Sequence, residues 1–148
     1  MNPRCDILSP RSFPLAEHLV HAQTNVEPPN YVQHNPCTDM SSLVTMEEED
    51  AFRNVNILEQ WPSNASHGLD TSQSRALKRI LTSRLAVIQG PPGTGKTYSS
   101  VVALKILLNN MGKDDPPIIV TCQTNHALDQ LLRHIAEFEP NFIRLGGT

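Results

Sequence analysis

The stretch that decides the fold is Gly90-Pro91-Pro92-Gly93-Thr94-Gly95-Lys96-Thr97. Its G-x-x-x-x-G-K-T spacing is typical of a phosphate-binding loop, because glycines permit the backbone angles that turn successive N–H groups inward. Lys96 would bring a full positive charge to the β- and γ-phosphates, and the Thr97 hydroxyl would be a magnesium ligand. The spacing therefore predicts a nucleotide site with Lys96 and Thr97 as its catalytic pair. The residues expected to hold the nucleotide are Gly90, Gly93, Thr94, Gly95, Lys96 and Thr97.

Apolar runs on both sides of this loop predict a parallel sheet covered by helices. Leu85-Ala86-Val87-Ile88 indicates a buried strand before the loop, and helical spacing resumes directly after it. The predicted strands are 85–88, 117–121 and 142–145, and the predicted helices are one capped by Asp70 or Thr71, one at 97–109 and one at 127–138. Alternating strands and helices are the pattern of an α/β domain. We therefore expect the segment 69–148 to be such a domain.

The first 68 residues have a different character. They hold seven of the twelve prolines and three basic against nine acidic residues, a net charge of −6, whereas the remainder has nine basic against six acidic residues and a net charge of +3. We interpret 1–68 as an acidic, Pro-rich and loosely structured lead-in. Two apolar patches within it, 13–20 and 55–61, are expected to dock on the neighbouring domain.

Composition also excludes some classes of protein. Cys5, Cys37 and Cys122 are odd in number and far apart, which argues against a disulfide framework and favours a reducing intracellular compartment. No segment approaches the roughly 18 uninterrupted apolar residues of a membrane span. We therefore expect no membrane partner.

Two further sites are ambiguous from local chemistry alone. The Gln73 amide offers a donor and an acceptor that match the N6/N7 edge of adenine, but taken alone the residue is more typical of an exposed first-turn side chain. Thr124 and Asn125 follow the second predicted strand, where small polar groups either contact phosphate or cap the next helix. Both alternatives remain open at this point.

Three segments together resemble a family. They are Leu69-Asp70-Thr71-Ser72-Gln73, the loop 90–97 with the strand before it, and Thr121-Cys122-Gln123-Thr124-Asn125-His126-Ala127-Leu128-Asp129-Gln130-Leu131. They look like the Q motif, motif I (Walker A) and motif Ia of superfamily 1 helicases of the nonsense-mediated-decay type. The third segment is most similar to that of the zinc-finger helicases linked to RNA silencing and heterochromatin, especially fungal ones.

This resemblance implies a RecA-like P-loop NTPase domain with ATP and Mg²⁺ as cofactors. Gln73 would read adenine, Gly93 to Thr97 would hold phosphate and magnesium, and Thr124 and Asn125 would contact the backbone of single-stranded RNA or DNA. In such a helicase, ATP hydrolysis drives translocation along the strand. The resemblance places the protein in the nucleus or the cytoplasm, with the nucleus slightly favoured.

The chain departs from the family after motif Ia. No apolar strand ending in Asp-Glu follows, so a second magnesium ligand and a water-positioning glutamate are missing, as are a second RecA domain and a zinc-binding region. We therefore expect an incomplete domain with uncovered apolar faces, a fragment or truncated product that is inactive in isolation.

Three functions remain under consideration. The first is the ATP-binding part of a helicase. The alternative is a truncated, non-catalytic protein that binds nucleotide or partner proteins. A third, another P-loop ATPase such as an AAA-type remodeller, is disfavoured by the segment after the second strand.

Overall fold

Short elements come first along the chain, and three longer helices follow them. The computed structural model describes residues 15–20, 25–44, 47–63 and 68–146. In chain order the elements are α1 (Ala16–Val20), α2 (Asn30–His34), β1 (Cys37–Thr38), a 3₁₀ turn (Ser41–Leu43), α3 (Glu49–Phe52), β2 (Val55–Asn56), α4 (Thr71–Thr82), α5 (Lys96–Asn110) and α6 (Asn125–Ala136). Strand β1 pairs antiparallel with β2, with Cys37 opposite Asn56. In the described ranges no helix is both long and apolar enough to span a bilayer.

Helix α4 begins at a capping box. The Asp70 carboxylate accepts the backbone N–H groups of Ser72 and Gln73, both at 2.8 Å, and Gln73 Oε1 accepts the Asp70 N–H at 3.2 Å. These reciprocal bonds satisfy donors that the first turn of a helix otherwise leaves unpaired. The predicted helix is confirmed, and it buries Leu77 and Leu81.

Helices α5 and α6 lie where the apolar spacing predicts helices. Helix α5 follows the glycine-rich loop directly and buries Ala103 and Ile106. Helix α6 begins before the predicted residue 127, because Thr124 Oγ1 accepts the Ala127 N–H at 3.2 Å and caps it. Helix α5 contacts both α4 and α6. The three helices therefore form the frame that carries the loop.

One hydrophobic core joins the lead-in to these helices. Its buried members are Val32, Met40, Phe52, Val55, Ile57, Leu69, Leu77, Leu81, Ala103 and Ile106. Met40 and Ile57 have no exposed surface at all. The expectation of a loosely structured lead-in is thus wrong for the described residues, because α2, α3 and β2 each bury one apolar side chain in the core that α4 and α5 share.

Hydrogen bonds fix the lead-in to both α4 and α5. Tyr31 Oη donates to the Leu81 carbonyl of α4 at 2.7 Å. The Asp39 N–H donates to Asn110 Oδ1 of α5, and Asn110 Nδ2 donates back to the Asp39 carbonyl, each at 2.8 Å. Of the two predicted docking patches, residues 55–57 do reach the core. Residues 13 and 14 of the other patch lie outside the described part of the chain.

The three predicted parallel strands are not formed in the described residues. The only sheet there is the β1–β2 pair, and no backbone hydrogen bond joins the segments 85–88, 117–121 and 142–145 to one another. A parallel sheet needs hydrogen-bonded neighbours and helices on both faces. Here Val87 is 72% exposed, Ile119 83% and Ile143 86%. The segments have no regular secondary structure, and their apolar side chains lack the cover that would make them strands of a buried sheet.

Candidate nucleotide-binding site

The loop between residues 90 and 97 uses its glycines where other residues would be strained. Gly93 and Gly95 have φ angles of 81° and 78°, in the left-handed region. Gly95 is also the N-cap of α5, and its carbonyl accepts the Ser99 N–H at 2.9 Å. The loop therefore ends at a helix N-terminus, where free N–H groups and the partial positive charge of the helix favour an anion.

The Lys96 side chain folds back over this loop. Its Nζ donates to the carbonyl oxygens of Gly90 and Pro91, both at 2.7 Å, and Thr94 Oγ1 donates to the Pro91 carbonyl at 2.9 Å. The ammonium group is thus held above the concave side of the loop. A phosphate oxygen is a stronger acceptor than a carbonyl, because its bond to an ammonium is assisted by charge on both partners.

Two of the loop glycines are closely surrounded by side chains. A Cβ added at Gly90 would lie 2.9 Å from Thr94 Oγ1, and one added at Gly95 would lie 2.5 Å from Gln73 Nε2. At Gly93 an added Cβ would meet nothing within 4 Å. A side chain at position 90 or 95 would therefore clash with Thr94 or Gln73, whereas the space beside Gly93 is open.

The structure brings Gln73 to the loop, although the sequence separates them. The residue is in the first turn of α4, and its Nε2 lies against Gly95. Its Oε1 accepts the Asp70 N–H. Hydrogen bonds from Ser72 and Gln73 hold the pKa of the Asp70 carboxyl below its usual range. Gln73 therefore serves as a capping residue and also contacts the loop.

Thr97 lies between two open clefts. It is exposed, one residue into α5, and both clefts, of about 640 and 680 Å³, are lined by Lys96 and Thr97. An exposed hydroxyl beside the lysine is the arrangement that a magnesium ion bound to phosphate would need. Among the described residues no group of three or more His, Cys, Asp or Glu side chains could hold a metal ion on its own. Any magnesium would therefore depend on the nucleotide for further ligands.

Thr124 and Asn125 lie at the N-terminus of α6. Thr124 Oγ1 accepts the Ala127 N–H, so the capping alternative describes what this side chain does in the structure. Its hydroxyl proton can still donate to another acceptor. Asn125 is exposed at the first position of the helix. The cleft on this side is lined by Lys96, Thr97 and Ala127 of α6, but neither Thr124 nor Asn125 lines it.

Several residues near the site were not expected from the sequence. Ser42 and Leu43 of the lead-in line the other cleft, and the Ser42 hydroxyl is buried without a hydrogen-bond partner in the described structure. Arg144 donates to Asp129 of α6 at 2.8 Å, which lowers the pKa of the Asp129 carboxyl. Only the Asp70–Gln73 box had a sequence signal, an acidic N-cap with Gln three residues later. The others depend on tertiary contacts.

Comparison with known proteins identifies the family. A family model described as an AAA domain matches residues 68–148, which include the loop, α4, α5 and α6. The chain belongs to this AAA domain family. Membership implies a P-loop NTPase fold.

The curated relatives of this AAA domain chain are helicases and related proteins. It is 39% identical to "Helicase required for RNAi-mediated heterochromatin assembly 1" of Schizosaccharomyces pombe over 94% of this chain and 14% of that protein. It is 37% identical to human "NFX1-type zinc finger-containing protein 1" over 90% of this chain and 8% of that protein. It is 41% identical to "ATP-dependent helicase upf1" of Schizosaccharomyces pombe over 45% of this chain and 8% of that protein. No solved structure matches.

These relatives confirm the resemblance read from the motifs. The chain is the N-terminal helicase part of a superfamily 1 protein of the nonsense-mediated-decay type, and it corresponds to the nucleotide-binding portion of ATP-dependent helicases. It spans about a seventh or less of the relatives named above.

Proposed function

We propose that the chain is the ATP-binding front of an RNA or DNA helicase in which ATP hydrolysis drives translocation along a single strand. The observation that carries this proposal is the position of the Lys96 ammonium over the loop, at 2.7 Å from two loop carbonyls, with Gln73 packed on Gly95. The Lys96 ammonium, which would bind phosphate, and the Gln73 amide, which would bind the base, thus both lie beside the N-terminus of α5.

Each predicted site residue has a role in this proposal. Lys96 would exchange its carbonyl partners for the β- and γ-phosphates, and backbone N–H groups of the loop would hold the remaining oxygens. Thr97 would be a ligand of a nucleotide-bound Mg²⁺, which when present neutralises charge on the phosphates. The residues proposed to contact the nucleotide are Gln73, Gly90, Gly93, Thr94, Gly95, Lys96 and Thr97.

The RecA-like sheet also belongs to the proposal. The apolar segments 85–88, 117–121 and 142–145 would become its parallel strands when neighbouring strands cover their apolar side chains, which are exposed at Val87, Ile119 and Ile143. On this sheet Thr124 and Asn125 would contact the backbone of single-stranded RNA or DNA. We also propose that the RecA-like domain begins at residue 69, although residues of the lead-in are part of the same hydrophobic core.

The biological setting is proposed from a relative. The fission yeast relative is named for RNAi-mediated heterochromatin assembly. We extend from this name a role in RNA silencing and a location in the nucleus, or otherwise in the cytoplasm.

The test of nucleotide binding is the stability gained from ATP. With Mg-ATP at about 100 times its dissociation constant, the free energy of unfolding should rise by about 2.7 kcal/mol. Lys96→Ala should abolish the gain, whereas Lys113→Ala, which changes an exposed lysine outside the site, should keep it. A wild-type chain without any such gain would contradict the proposal.

A second candidate is a non-catalytic nucleotide- or partner-binding protein. Within the 148 residues no Asp-Glu pair follows motif Ia, so this stretch holds no such residue to position an attacking water. For the 148-residue chain we therefore expect ATP binding with negligible turnover. Steady-state phosphate release that disappears in Lys96→Ala would show instead that this chain hydrolyses ATP by itself.

A further inference from the structure

The Gln73 side chain is held from two directions. Its Oε1 accepts the Asp70 N–H at 3.2 Å, and its Nε2 lies so close to Gly95 that a Cβ there would stand 2.5 Å away. A backbone N–H can only donate, so the amide oxygen must face Asp70 and the amide nitrogen must face the loop. The order of donor and acceptor along this amide is therefore set by the helix cap.

The cap in turn depends on the Asp70 carboxylate. One of its oxygens accepts the N–H groups of Ser72 and Gln73 at 2.8 Å and the Ser72 hydroxyl at 2.6 Å. These bonds hold the first turn of α4 so that the Asp70 N–H points at the Gln73 side chain. A residue at position 70 without an acceptor would release that turn, and with it the amide.

A fixed amide distinguishes the two purines. Adenine presents an acceptor at N7 beside a donor at N6, whereas guanine presents acceptors at both N7 and O6. Gln73 Oε1 has a second lone pair free while it accepts the Asp70 N–H, so the amide can pair with both adenine groups. Against guanine the same oxygen would face O6. An amide free to rotate could turn its NH₂ group toward guanine and escape this repulsion.

We infer that Asp70 is a positioning residue for base selection, whose capping box fixes the Gln73 amide so that the site prefers adenine to guanine nucleotides. Asp70 acts through Gln73 and contacts neither the base nor the phosphates. The inference rests on the proposed nucleotide-binding function, and it explains why an acidic N-cap with Gln at the third helical position stands opposite the loop.

The test is the ratio of ATP to GTP affinity in the 148-residue chain, measured by isothermal titration calorimetry with Mg²⁺. The wild type should bind ATP about tenfold more tightly than GTP. Asp70→Ala should reduce the ratio to about twofold or less, mainly through weaker ATP binding. Asp70→Ser restores a capping side chain and should restore the preference. Ser72→Ala removes only the hydroxyl bond to Asp70, so it should behave like the wild type.

Gln73→Glu separates capping from base reading. Glutamate is a favoured partner in a capping box and keeps an acceptor for the Asp70 N–H, but it presents no donor to the loop. Its helix content should match the wild type by circular dichroism while the preference for ATP is lost. This variant decides the matter if Asp70→Ala does not fold, because a preference retained in Gln73→Glu overturns the inference.

The remaining outcomes are also decisive. An Asp70→Ala chain that loses ATP and GTP affinity by the same factor overturns the positioning role and leaves the proposed nucleotide-binding function intact. A folded wild-type chain that binds neither nucleotide overturns both.

Discussion

Two glycines of the loop share a backbone conformation but have different surroundings. Gly93 and Gly95 both have positive φ angles, 81° and 78°. An added Cβ would meet nothing at Gly93, whereas at Gly95 it would stand 2.5 Å from Gln73 Nε2. The pair therefore separates the cost of backbone strain from the cost of displacing a side chain that belongs to the site.

We predict that Gly95→Ala is the more damaging of the two substitutions. Both should lower the free energy of unfolding by about 1–2 kcal/mol through backbone strain. Gly95→Ala should in addition move the Gln73 amide and weaken ATP binding more than Gly93→Ala does. Urea unfolding with and without Mg-ATP measures both quantities. Equal losses of ATP affinity in the two variants would show that the Gln73 contact is unimportant.

At the scale of single residues, the sequence predicts part of the candidate nucleotide-binding site. Spacing alone identifies the glycines and Lys96, because the loop's chemistry is local. The carbonyl partners of Lys96 Nζ and the contact between Gln73 and Gly95 depend on how α4 and α5 pack. Periodicity carries no information about that packing, so these contacts could be found only in the structure.

At the scale of elements, helices were predictable and strands were not. The spacing of apolar residues in α4, α5 and α6 and the caps at Asp70 and Thr124 are properties of the segments themselves. A parallel strand has no such independence, because its hydrogen bonds come from neighbours elsewhere in the chain. In the described residues the apolar segments 85–88, 117–121 and 142–145 lack those neighbours.

The N-terminus of α6 allows a test of nucleic-acid binding. Thr124→Ala removes the cap on Ala127 and the hydroxyl donor, so it should cost about 1 kcal/mol of stability and weaken single-strand binding. Thr124→Ser keeps both functions and is the matched control. Asn125→Ala changes the proposed phosphate contact without the cap. Fluorescence anisotropy with oligo-U and oligo-dT should show a similar loss on both strands.

The outcome that separates the two alternatives for Thr124 is clear. Lower stability together with unchanged affinity in Thr124→Ala and Asn125→Ala would leave capping as the role of this turn.

The link between α2 and α4 predicts a dependence of stability on alkaline pH. Burial raises the pKa of Tyr31 from 10.0 to about 12, and its hydroxyl donates to the Leu81 carbonyl. The folded state therefore retains the proton more tightly than the unfolded chain. The resulting stability is complete below pH 10 and is lost as the pH rises toward about 12.

Tyr31→Phe measures this contribution. The variant should be less stable at neutral pH by about 1 kcal/mol, because it lacks the hydrogen bond to Leu81. Its difference from the wild type should shrink between pH 10 and about 12, as followed by urea unfolding. A constant difference across that range would contradict the pKa shift.

At the scale of the whole molecule, the lead-in and the loop-bearing helices are one folding unit. Val32, Met40, Phe52, Val55 and Ile57 supply half of the shared core. The sequence did not predict this, because the net charge of −6 and the seven prolines of 1–68 are typical of poorly structured segments. The burial comes from single apolar residues in very short elements, which leave no periodic pattern.

Substitutions at two adjacent residues of the lead-in test whether it folds as one unit with the helices. Ile57 has no exposed surface, whereas Leu58 is 41% exposed. Ile57→Ala should cost about 2–5 kcal/mol and thereby weaken ATP binding at a distance, through loss of the folded state. Leu58→Ala should cost less than about 1 kcal/mol. Similar losses in the two variants, by urea unfolding, would mean that the lead-in is not part of the core.

The paired hydrogen bonds between Asp39 and Asn110 have a consequence for synthesis in the cell. The partners are 71 positions apart, and a ribosome adding about 5–20 residues per second needs roughly 4–14 s to make that length. During this interval Met40 and Ile57 lack the side of their core that Ala103 and Ile106 of α5 supply. We therefore expect the newly made lead-in to keep apolar side chains partly uncovered until α5 has emerged.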